Sequence, residues 1–170
     1  NIPVTQTVMG YSTIKKDHSH FLGPIGGLGG KAANNFAKQT DLAIAVGTKL
    51  ADFTTGSWAN FENPNFSLVS INVARFDANK HMAQSVIGDA KVSLTELSQV
   101  LGDWRAPDDW YKKSREELKS WNEYIDKESG PTNQELPSYA HAVGAIYRNS
   151  DPTDIAVTAA GGLVGEVVQV

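Results

Sequence analysis

The sequence predicts an α/β fold with a parallel β-sheet, from three apolar segments and the intervals that separate them. Residues 42 to 46 form a continuous apolar run that ends at Gly47, and residues 66 to 73 and 85 to 87 supply two further candidate strands. A short run that is apolar on both faces is typical of a buried parallel strand. The intervals are long enough to cross over the sheet, so we expect βαβ units with right-handed crossovers.

The first forty residues are predicted to hold a strand, a loop and a helix. Apolar and β-branched side chains among residues 2 to 5 indicate a short strand. Residues 11 to 31 are rich in glycine, follow neither the strand nor the helix period, and are interpreted as a loop. Residues 32 to 39 carry apolar side chains at helical spacing, which predicts a helix.

A helix is also expected after the third strand, with Asp89 as its N-terminal cap. The apolar side of this helix would consist of Val92, Leu94, Leu97, Val100 and Leu101. Together, the strands and helices up to residue 105 predict one α/β domain.

The composition changes at Gly102, and two further parts follow. Residues 106 to 134 are predicted to be a charged helical connector, whose helix carries an apolar stripe of Tyr111, Leu118, Trp121 and Ile125. Residues 135 to 170 should hold an amphipathic helix at 136 to 148 and a strand at 155 to 158. One helix and one strand cannot bury a core of their own, so this part is expected to begin another domain.

The apolar character of both ends of the sequence is consistent with two alternatives. The chain is either cut from a longer structure or bounded artificially, and the residues alone do not decide between them.

The composition excludes several classes of function. The chain has 170 residues, a formal net charge of -4 and no cysteine. Disulfides, thiolate metal sites and a cysteine nucleophile are therefore excluded, and no concentrated basic stripe suggests a nucleic-acid partner. No apolar run approaches the roughly eighteen residues of a membrane span. We expect a cytoplasmic protein with neither a membrane nor a nucleic-acid partner.

The glycine-rich segment at residues 23 to 31 is the first candidate binding site. It fails as a P-loop because Ile25 and Ala32 stand where that motif requires glycine and a hydroxyl side chain. The spacing of Gly27, Gly29 and Ala32 fits a relaxed dinucleotide fingerprint, although no clear strand precedes it. We favour a tight loop that packs a helix on the sheet. Any nucleotide contact would be through the backbone of Gly26, Gly27, Gly29 and Gly30.

The second candidate is the run of small residues from 158 to 162, which follows the last predicted strand. Small residues at the carboxyl end of a parallel strand allow a ligand to approach, but they also suit a plain turn. No metal site is predicted, because His18 and His20 lack a third ligand. Nucleophilic hydrolysis by serine has no support, since the sequence has no Gly-x-Ser-x-Gly motif, and no catalytic residue is predicted.

In order and spacing, these segments resemble the central domain of thiamine-diphosphate-dependent enzymes of the acetohydroxyacid synthase and pyruvate oxidase type. The matching stretches are residues 2 to 7 with Gly10, 17 and 18, 23 to 34, 41 to 48, 71 to 73 and 88 to 90. The resemblance implies a Rossmann-like parallel sheet that lacks its first strand and helix. Residues 52 to 58 and 71 to 82 are similar to a hydrolase branch that cleaves a carbon–carbon bond of trihydroxycyclohexane-1,2-dione in inositol catabolism.

The same resemblance implies the cofactors and the site. Thiamine diphosphate and magnesium would serve the parent protein, and the turn at Gly161, Gly162 and Leu163 would lie near the diphosphate. Val164 stands where the family usually has proline. The activating glutamate and the Gly-Asp-Gly metal motif of the family are absent from these 170 residues. The chain alone is therefore expected to bind neither cofactor and to be inactive.

Three functional interpretations remain open at this stage. The first is a segment of that hydrolase, with the remaining domains of the parent chain and further copies in a homo-oligomer as its partners. The second is a module that binds an adenine dinucleotide or another nucleotide at the glycine-rich loop. Flavin-bearing relatives hold their dinucleotide near this loop and near residues 47 to 52, but the hydrolase branch is not expected to need flavin. The third is an interaction domain.

Overall fold

A computed structural model describes all residues from 1 to 170, and its strands lie in two parallel sheets. Strand β1 (Val4–Gln6) pairs with β2 (Phe21–Pro24). Strands β3 (Leu42–Val46), β4 (Ser67–Asn72) and β5 (Gln84–Ile87) form the second sheet in the order β3-β4-β5. The predicted α/β class with parallel strands is confirmed.

The register of the three-stranded sheet brings the carboxyl ends of its strands to one edge. Val46 lies opposite Ile71, and Asn72 lies opposite Ile87. The loops that follow β3 and β4 are therefore neighbours at this edge, where open α/β sheets bind ligands.

The helices between and after the strands differ greatly in length. Helix α1 (Lys31–Ala37) connects β2 to β3, whereas the one-turn helices α2 (Asp52–Thr55) and α3 (Arg75–Ala78) precede β4 and β5. Helix α4 (Ala90–Leu101) follows β5. The carboxylate of Asp89 accepts a hydrogen bond of 3.0 Å from the Val92 N–H, so the predicted cap of α4 is confirmed.

The main core forms where α1 meets helix α5 (Asp108–Glu128). The Phe36 ring lies 4.1 Å from the Trp110 ring, measured between centroids. The predicted stripe of α5 is confirmed, because Leu118 and Trp121 pack on this core and Ile125 is buried. The buried members of the core are Leu22, Ile25, Ala32, Ala33, Phe36 and Ala37. Helix α5 therefore packs against the α/β unit along its length.

The prediction that residues 42 to 46 are buried on both faces is wrong. Leu42 is 51% exposed and Val46 is 38% exposed. Leu42, Ile44 and Val46 share one face of the strand, on which no helix packs, whereas Ala43 and Ala45 on the other face lie at a small core. Helix α4 is similarly uncovered, since none of its apolar side chains is buried.

The predicted loop over residues 11 to 31 contains a strand that the sequence pattern did not indicate. Strand β2 has four residues, of which two are glycine and proline, so no alternation was visible. It forms because β1 provides a partner: the Ile25 N–H donates to the Gln6 carbonyl at 2.9 Å.

The final part of the chain holds α6 (Tyr139–Asn149) and α7 (Gly162–Gln169), which pack on each other. Helix α6 starts three residues later than predicted, because Ser138 and His141 form a capping box at its start. The strand predicted at residues 155 to 158 is absent. Ile155 and Val157 are about nine-tenths exposed (88% and 91%), and no neighbouring strand offers them a hydrogen-bonding partner. None of the helices has both the length and the apolar composition needed to cross a membrane.

Candidate cofactor-binding site

The structure brings the two glycine-containing candidate segments close together. The first is the loop of residues 26 to 30 between β2 and α1, and the second is the turn that starts α7. A Cβ built on Gly165 of α7 would lie 3.4 Å from Leu28 Cδ2. Helix α7 therefore rests on the glycine-rich loop.

The glycines of this loop are required by packing within the chain. Gly26 has a φ of +113°, and a Cβ there would lie 2.7 Å from the Phe53 carbonyl oxygen. A Cβ on Gly30 would lie 2.9 Å from Trp121 Nε1. Close approach of backbone to α2 and α5 explains these residues without a ligand. The arrangement matches the tight-loop interpretation favoured from the sequence.

Most backbone N–H groups of the loop donate hydrogen bonds within the chain. Gly26 donates to Asn34 Oδ1 at 3.0 Å, and Gly27 donates to the Phe53 carbonyl at 2.8 Å. Gly29 and Gly30 donate to carbonyl oxygens of the preceding residues Gly26 and Pro24, both at 2.8 Å. A phosphate cradle needs free N–H donors, so within residues 26 to 30 only Leu28 keeps one available.

The turn before α7 has the opposite character, because residues 161 to 163 are exposed and their N–H groups donate no hydrogen bond within the chain. Gly161 has a φ of +147°, and no atom lies within 4 Å of a Cβ placed on it. As the N-terminal cap it supplies no side-chain acceptor to the first N–H groups of α7. Gly162 packs on the Tyr139 ring, because a Cβ placed on Gly162 would lie 3.2 Å from Tyr139 Cε2. The exposed N–H groups and the helix dipole suit an anion such as a diphosphate.

The side chains that most often bind metals are dispersed in this structure. No group of three histidine, aspartate or glutamate side chains converges anywhere in residues 1 to 170. The His18 and His20 rings have centroids 5.7 Å apart, and His20 packs on Tyr111 at 4.8 Å. Burial lowers the pKa of His20, and the positive charges of the N-terminus, His18 and Arg115 lower it further.

The sequence reasoning did not anticipate a cluster between the segments that precede β4 and β5, beside the core on the three-stranded sheet. The His81 ring stacks on Trp58, and His81 Nε2 lies 3.0 Å from the Leu50 carbonyl oxygen. Leu50, Trp58 and His81 all have positive φ, which is strained for residues other than glycine. Residues 52 to 58 and 71 to 82, the two stretches that are similar to the hydrolase branch, therefore contact each other. No periodicity or spacing signal indicated this contact.

Two further side chains escaped sequence reasoning because their burial depends on tertiary contacts. Gln6 Oε1 and Arg115 Nη2 are both buried without a hydrogen-bond partner. The burial of Gln6 could have been suspected, since it is a polar residue in a short apolar strand. Nothing in the sequence indicated the burial of Arg115, which lies on a charged helix.

Comparison with known proteins places these features in a family context. The family model described as "Thiamine pyrophosphate enzyme, central domain" matches residues 1–97. The predicted resemblance to the central domain of these enzymes is confirmed.

Relatives with a named activity align over almost the whole chain. The 3D-(3,5/4)-trihydroxycyclohexane-1,2-dione hydrolase of Clostridium perfringens (strain 13 / Type A) is 34% identical over 190 residues, covering 98% of this chain and 30% of the relative. The hydrolase of the same name from Geobacillus thermodenitrificans is 32% identical, covering 98% of this chain and 29% of the relative. The chain thus spans about 30% of the length of these relatives.

Proposed function

Because this chain belongs to the thiamine pyrophosphate enzyme family, we propose that it is the scaffold segment of a thiamine-diphosphate-dependent hydrolase. The proposed reaction of the parent protein is cleavage of a carbon–carbon bond of the cyclic 1,2-diketone trihydroxycyclohexane-1,2-dione, in inositol catabolism. The names of relatives that cover 98% of this chain support this choice of substrate. Because the chain spans about 30% of their length, the activity is proposed for a protein of the relatives' length.

The observation that carries the proposal is the free N-terminus of α7. Gly161 and Gly162 put no side chain between the first N–H groups of the helix and a ligand, and Leu163 is only 38% exposed beside them. These groups would contribute one wall of the diphosphate site. When bound, thiamine diphosphate supplies the nucleophilic carbon for carbon–carbon bond chemistry. Residues of this chain would orient it by hydrogen bonds to its phosphate oxygens.

The residues present fit the diphosphate but not its metal ion. A divalent cation such as magnesium needs several oxygen ligands, and no carboxylate cluster is available near α7, where Glu166 is the acidic residue. Its ligands would come from other parts of the parent protein. With neither a metal site nor a catalytic side chain of its own, the chain alone is proposed to be inactive.

We further propose the division into a central α/β domain at residues 1 to 105, a connector at 106 to 134 and the start of a diphosphate-binding domain at 135 to 170. The central domain is proposed to lack its first strand and helix. The open edges of β1 and β3 support this, since each pairs on one side only. A strand between these edges would join the two parallel sheets into one.

A homo-oligomeric state and a cytoplasmic location belong to the same proposal. Apolar side chains on α4, such as Val100 at 85% exposure, favour a partner surface.

A nucleotide-binding module is the alternative, with an adenine dinucleotide at Gly26 to Gly30. The engaged N–H groups of that loop give it less support than the free turn of α7.

An ¹⁵N-resolved NMR titration of this chain with thiamine diphosphate, ADP and FAD separates the two functions. We expect thiamine diphosphate to shift the amide signals of residues 161 to 163, with an affinity weaker than about 1 mM because only one wall is present. We expect ADP and FAD to leave residues 26 to 30 unshifted. Saturable shifts of residues 26 to 30 by ADP or FAD, with 161 to 163 unmoved by thiamine diphosphate, would favour the alternative.

A further inference from the structure

The first residues of the last two helices contact each other through an aromatic ring. Tyr139 begins α6 and Gly162 begins α7. Apart from the chain neighbours of Gly162 and the backbone of α7, only two atoms lie within 4 Å of a Cβ built on Gly162. They are Cε2 and Cδ2 of Tyr139, at 3.2 and 3.7 Å. Tyr139 is therefore the side chain from another element that touches the turn before α7.

The contact depends on the absence of a side chain at Gly162. Carbon atoms in contact usually lie about 3.5–4.0 Å apart, so a methyl group 3.2 Å from the ring would force the ring to move. The ring can therefore approach the backbone of the turn directly. One edge of the ring makes the contact through carbon atoms, and 63% of Tyr139 stays exposed. The hydroxyl group of Tyr139 is not needed for this contact.

Helix α6 holds Tyr139 in place at both of its ends. At its start, the Ser138 hydroxyl oxygen accepts from the His141 N–H at 3.3 Å, and the Ser138 N–H donates to His141 Nδ1 at 3.2 Å. This capping box closes the first turn, to which Tyr139 belongs. Near its end, Arg148 Nη1 donates to the Ser129 carbonyl at 2.6 Å, which anchors α6 on the last residues of the α5 segment.

The turn itself has little else to fix its conformation. Gly161 has a φ of +147°, no atom lies within 4 Å of a Cβ placed on it, and it gives α7 no side-chain cap. The contact of Gly165 with Leu28 lies farther along α7. A glycine turn without contacts samples many conformations, and a ligand binds only the fraction of molecules in the competent one. A contact that fixes the turn therefore raises its affinity.

We propose that Tyr139 is a positioning residue for the diphosphate. Its ring holds Gly162, so that the first N–H groups of α7 keep one arrangement before the ligand arrives. This inference rests on the proposed function, because it assumes that the turn at residues 161 to 163 receives the diphosphate. It adds a residue of α6 that acts through Gly162 and not by touching the ligand.

The test measures two quantities in variants of Tyr139. The first is the amide signal of Gly162 in the ¹⁵N-resolved NMR spectrum of the 170-residue chain. The second is the affinity for thiamine diphosphate of a protein in which residues 1 to 170 replace the aligned segment of the Clostridium perfringens relative. The matched control is Tyr147→Ala, because Tyr147 lies on the same helix, is 67% exposed and does not contact Gly162.

Tyr139→Ala should shift the Gly162 amide signal and raise the dissociation constant for thiamine diphosphate about fivefold, because fewer molecules hold the competent turn. Tyr139→Phe keeps the ring edge and should change the constant less than about twofold, as should the control Tyr147→Ala. Rescue by phenylalanine distinguishes the ring contact from a hydrogen bond of the hydroxyl group to the ligand.

Gly162→Ala tests the same contact from the other side. Its methyl group points at the Tyr139 ring, so it should raise the dissociation constant about fivefold when Tyr139 is present. In the Tyr139→Ala background, the smaller side chain leaves room, and the added effect of Gly162→Ala should be less than about twofold. If Tyr139→Ala does not fold, the effect of Gly162→Ala alone decides.

The inference and the proposed function fail in different ways. Unchanged affinity in Tyr139→Ala or in Gly162→Ala, or additive effects of the two substitutions, would overturn the role of Tyr139. An unmoved Gly162 amide signal in Tyr139→Ala would overturn it as well. A chimeric protein that keeps Tyr139 but has no affinity for thiamine diphosphate would instead contradict the proposed function.

Discussion

The imidazole of His81 stacks on the indole of Trp58, with ring centroids 4.3 Å apart and ring planes inclined by 24°. The contact ties the segment between α2 and β4 to the segment between α3 and β5, beside the small core of Ala45, Leu50 and Leu68 on the sheet. Both residues have positive φ, 72° for Trp58 and 58° for His81. A strained backbone persists only when surrounding contacts hold it, and this stack is one such contact.

The strength of this stack can be measured by a double-mutant cycle with Trp58→Ala and His81→Ala. We expect a coupling energy of about 0.5–1.5 kcal/mol in the free energy of unfolding, as for other ring pairs. Trp58→Ala alone should cost about 3 kcal/mol, because Trp58 also packs on the small core of Ala45, Leu50 and Leu68. Urea denaturation gives both values. The control pair, Trp58→Ala with His141→Ala, should be additive, since His141 belongs to the capping box of α6. Additivity in the Trp58–His81 cycle would mean that the stack contributes nothing.

Gly30 is predicted to be irreplaceable for the packing of α5. Gly30→Ala would place a methyl group 2.9 Å from Trp121 Nε1, so the indole or α5 must shift. We expect a loss of about 1–3 kcal/mol in thermal or urea unfolding. The matched control is Gly165→Ala, where the new methyl group makes an ordinary 3.4 Å contact with Leu28 and α7 gains helix propensity. A neutral Gly30→Ala variant would show that Trp121 does not lie against this loop.

The stability of the fold should fall on acidification in part because of His20. Burial, followed by the charges of the N-terminus, His18 and Arg115, lowers the pKa of His20 from 6.5. Since the folded state disfavours protonation, the stability from His20 is complete above pH 6.5 and is lost as pH falls through the lowered pKa. His20→Gln should therefore flatten the decline between about pH 7 and 5 by a few tenths of a kcal/mol. An equal loss of stability on acidification in the original protein and in His20→Gln would contradict this role of His20.

Arg115 is predicted to be dispensable for stability. Burial lowers its pKa, and its Nη2 atom is buried without an acceptor. Arg115 is half-buried and its Nε donates to Ser114 Oγ at 3.3 Å, but the desolvated Nη2 gains no partner in return, so an apolar side chain of similar length can be neutral or stabilising. We expect Arg115→Met to leave stability unchanged or raise it by about 1 kcal/mol in urea denaturation. A loss greater than about 1 kcal/mol would indicate that the stacking of the guanidinium on Tyr111 outweighs its desolvation.

The sequence correctly predicted those elements whose own residue pattern suits the structure that their neighbours impose. Strands β3, β4 and β5 follow from their apolar runs, and α4 follows from its Asp89 cap. Strand β2 could not be predicted because β1, rather than its own sequence, makes it a strand. The segment 155 to 158 shows the converse: its apolar sequence is suited to a strand, but no strand lies beside it.

The candidate site was predictable to a similar degree. The turn at Gly161 and Gly162 was identified from its small residues and the family resemblance. The use of Gly26 and Gly30 as packing positions could not be predicted, because Phe53 and Trp121 are distant in the chain. The burial of Gln6 likewise became visible only with the fold.

The central claim is that this chain is a scaffold whose α7 turn receives the diphosphate of thiamine diphosphate. Its most direct test is the affinity for thiamine diphosphate of a chimera, in which residues 1 to 170 replace the aligned segment of the Clostridium perfringens relative. We predict that the chimera binds the cofactor, that Gly161→Val weakens binding at least about tenfold because valine cannot adopt a φ of +147°, and that Gly165→Ala does not. Undiminished affinity in a folded Gly161→Val chimera would contradict the claim.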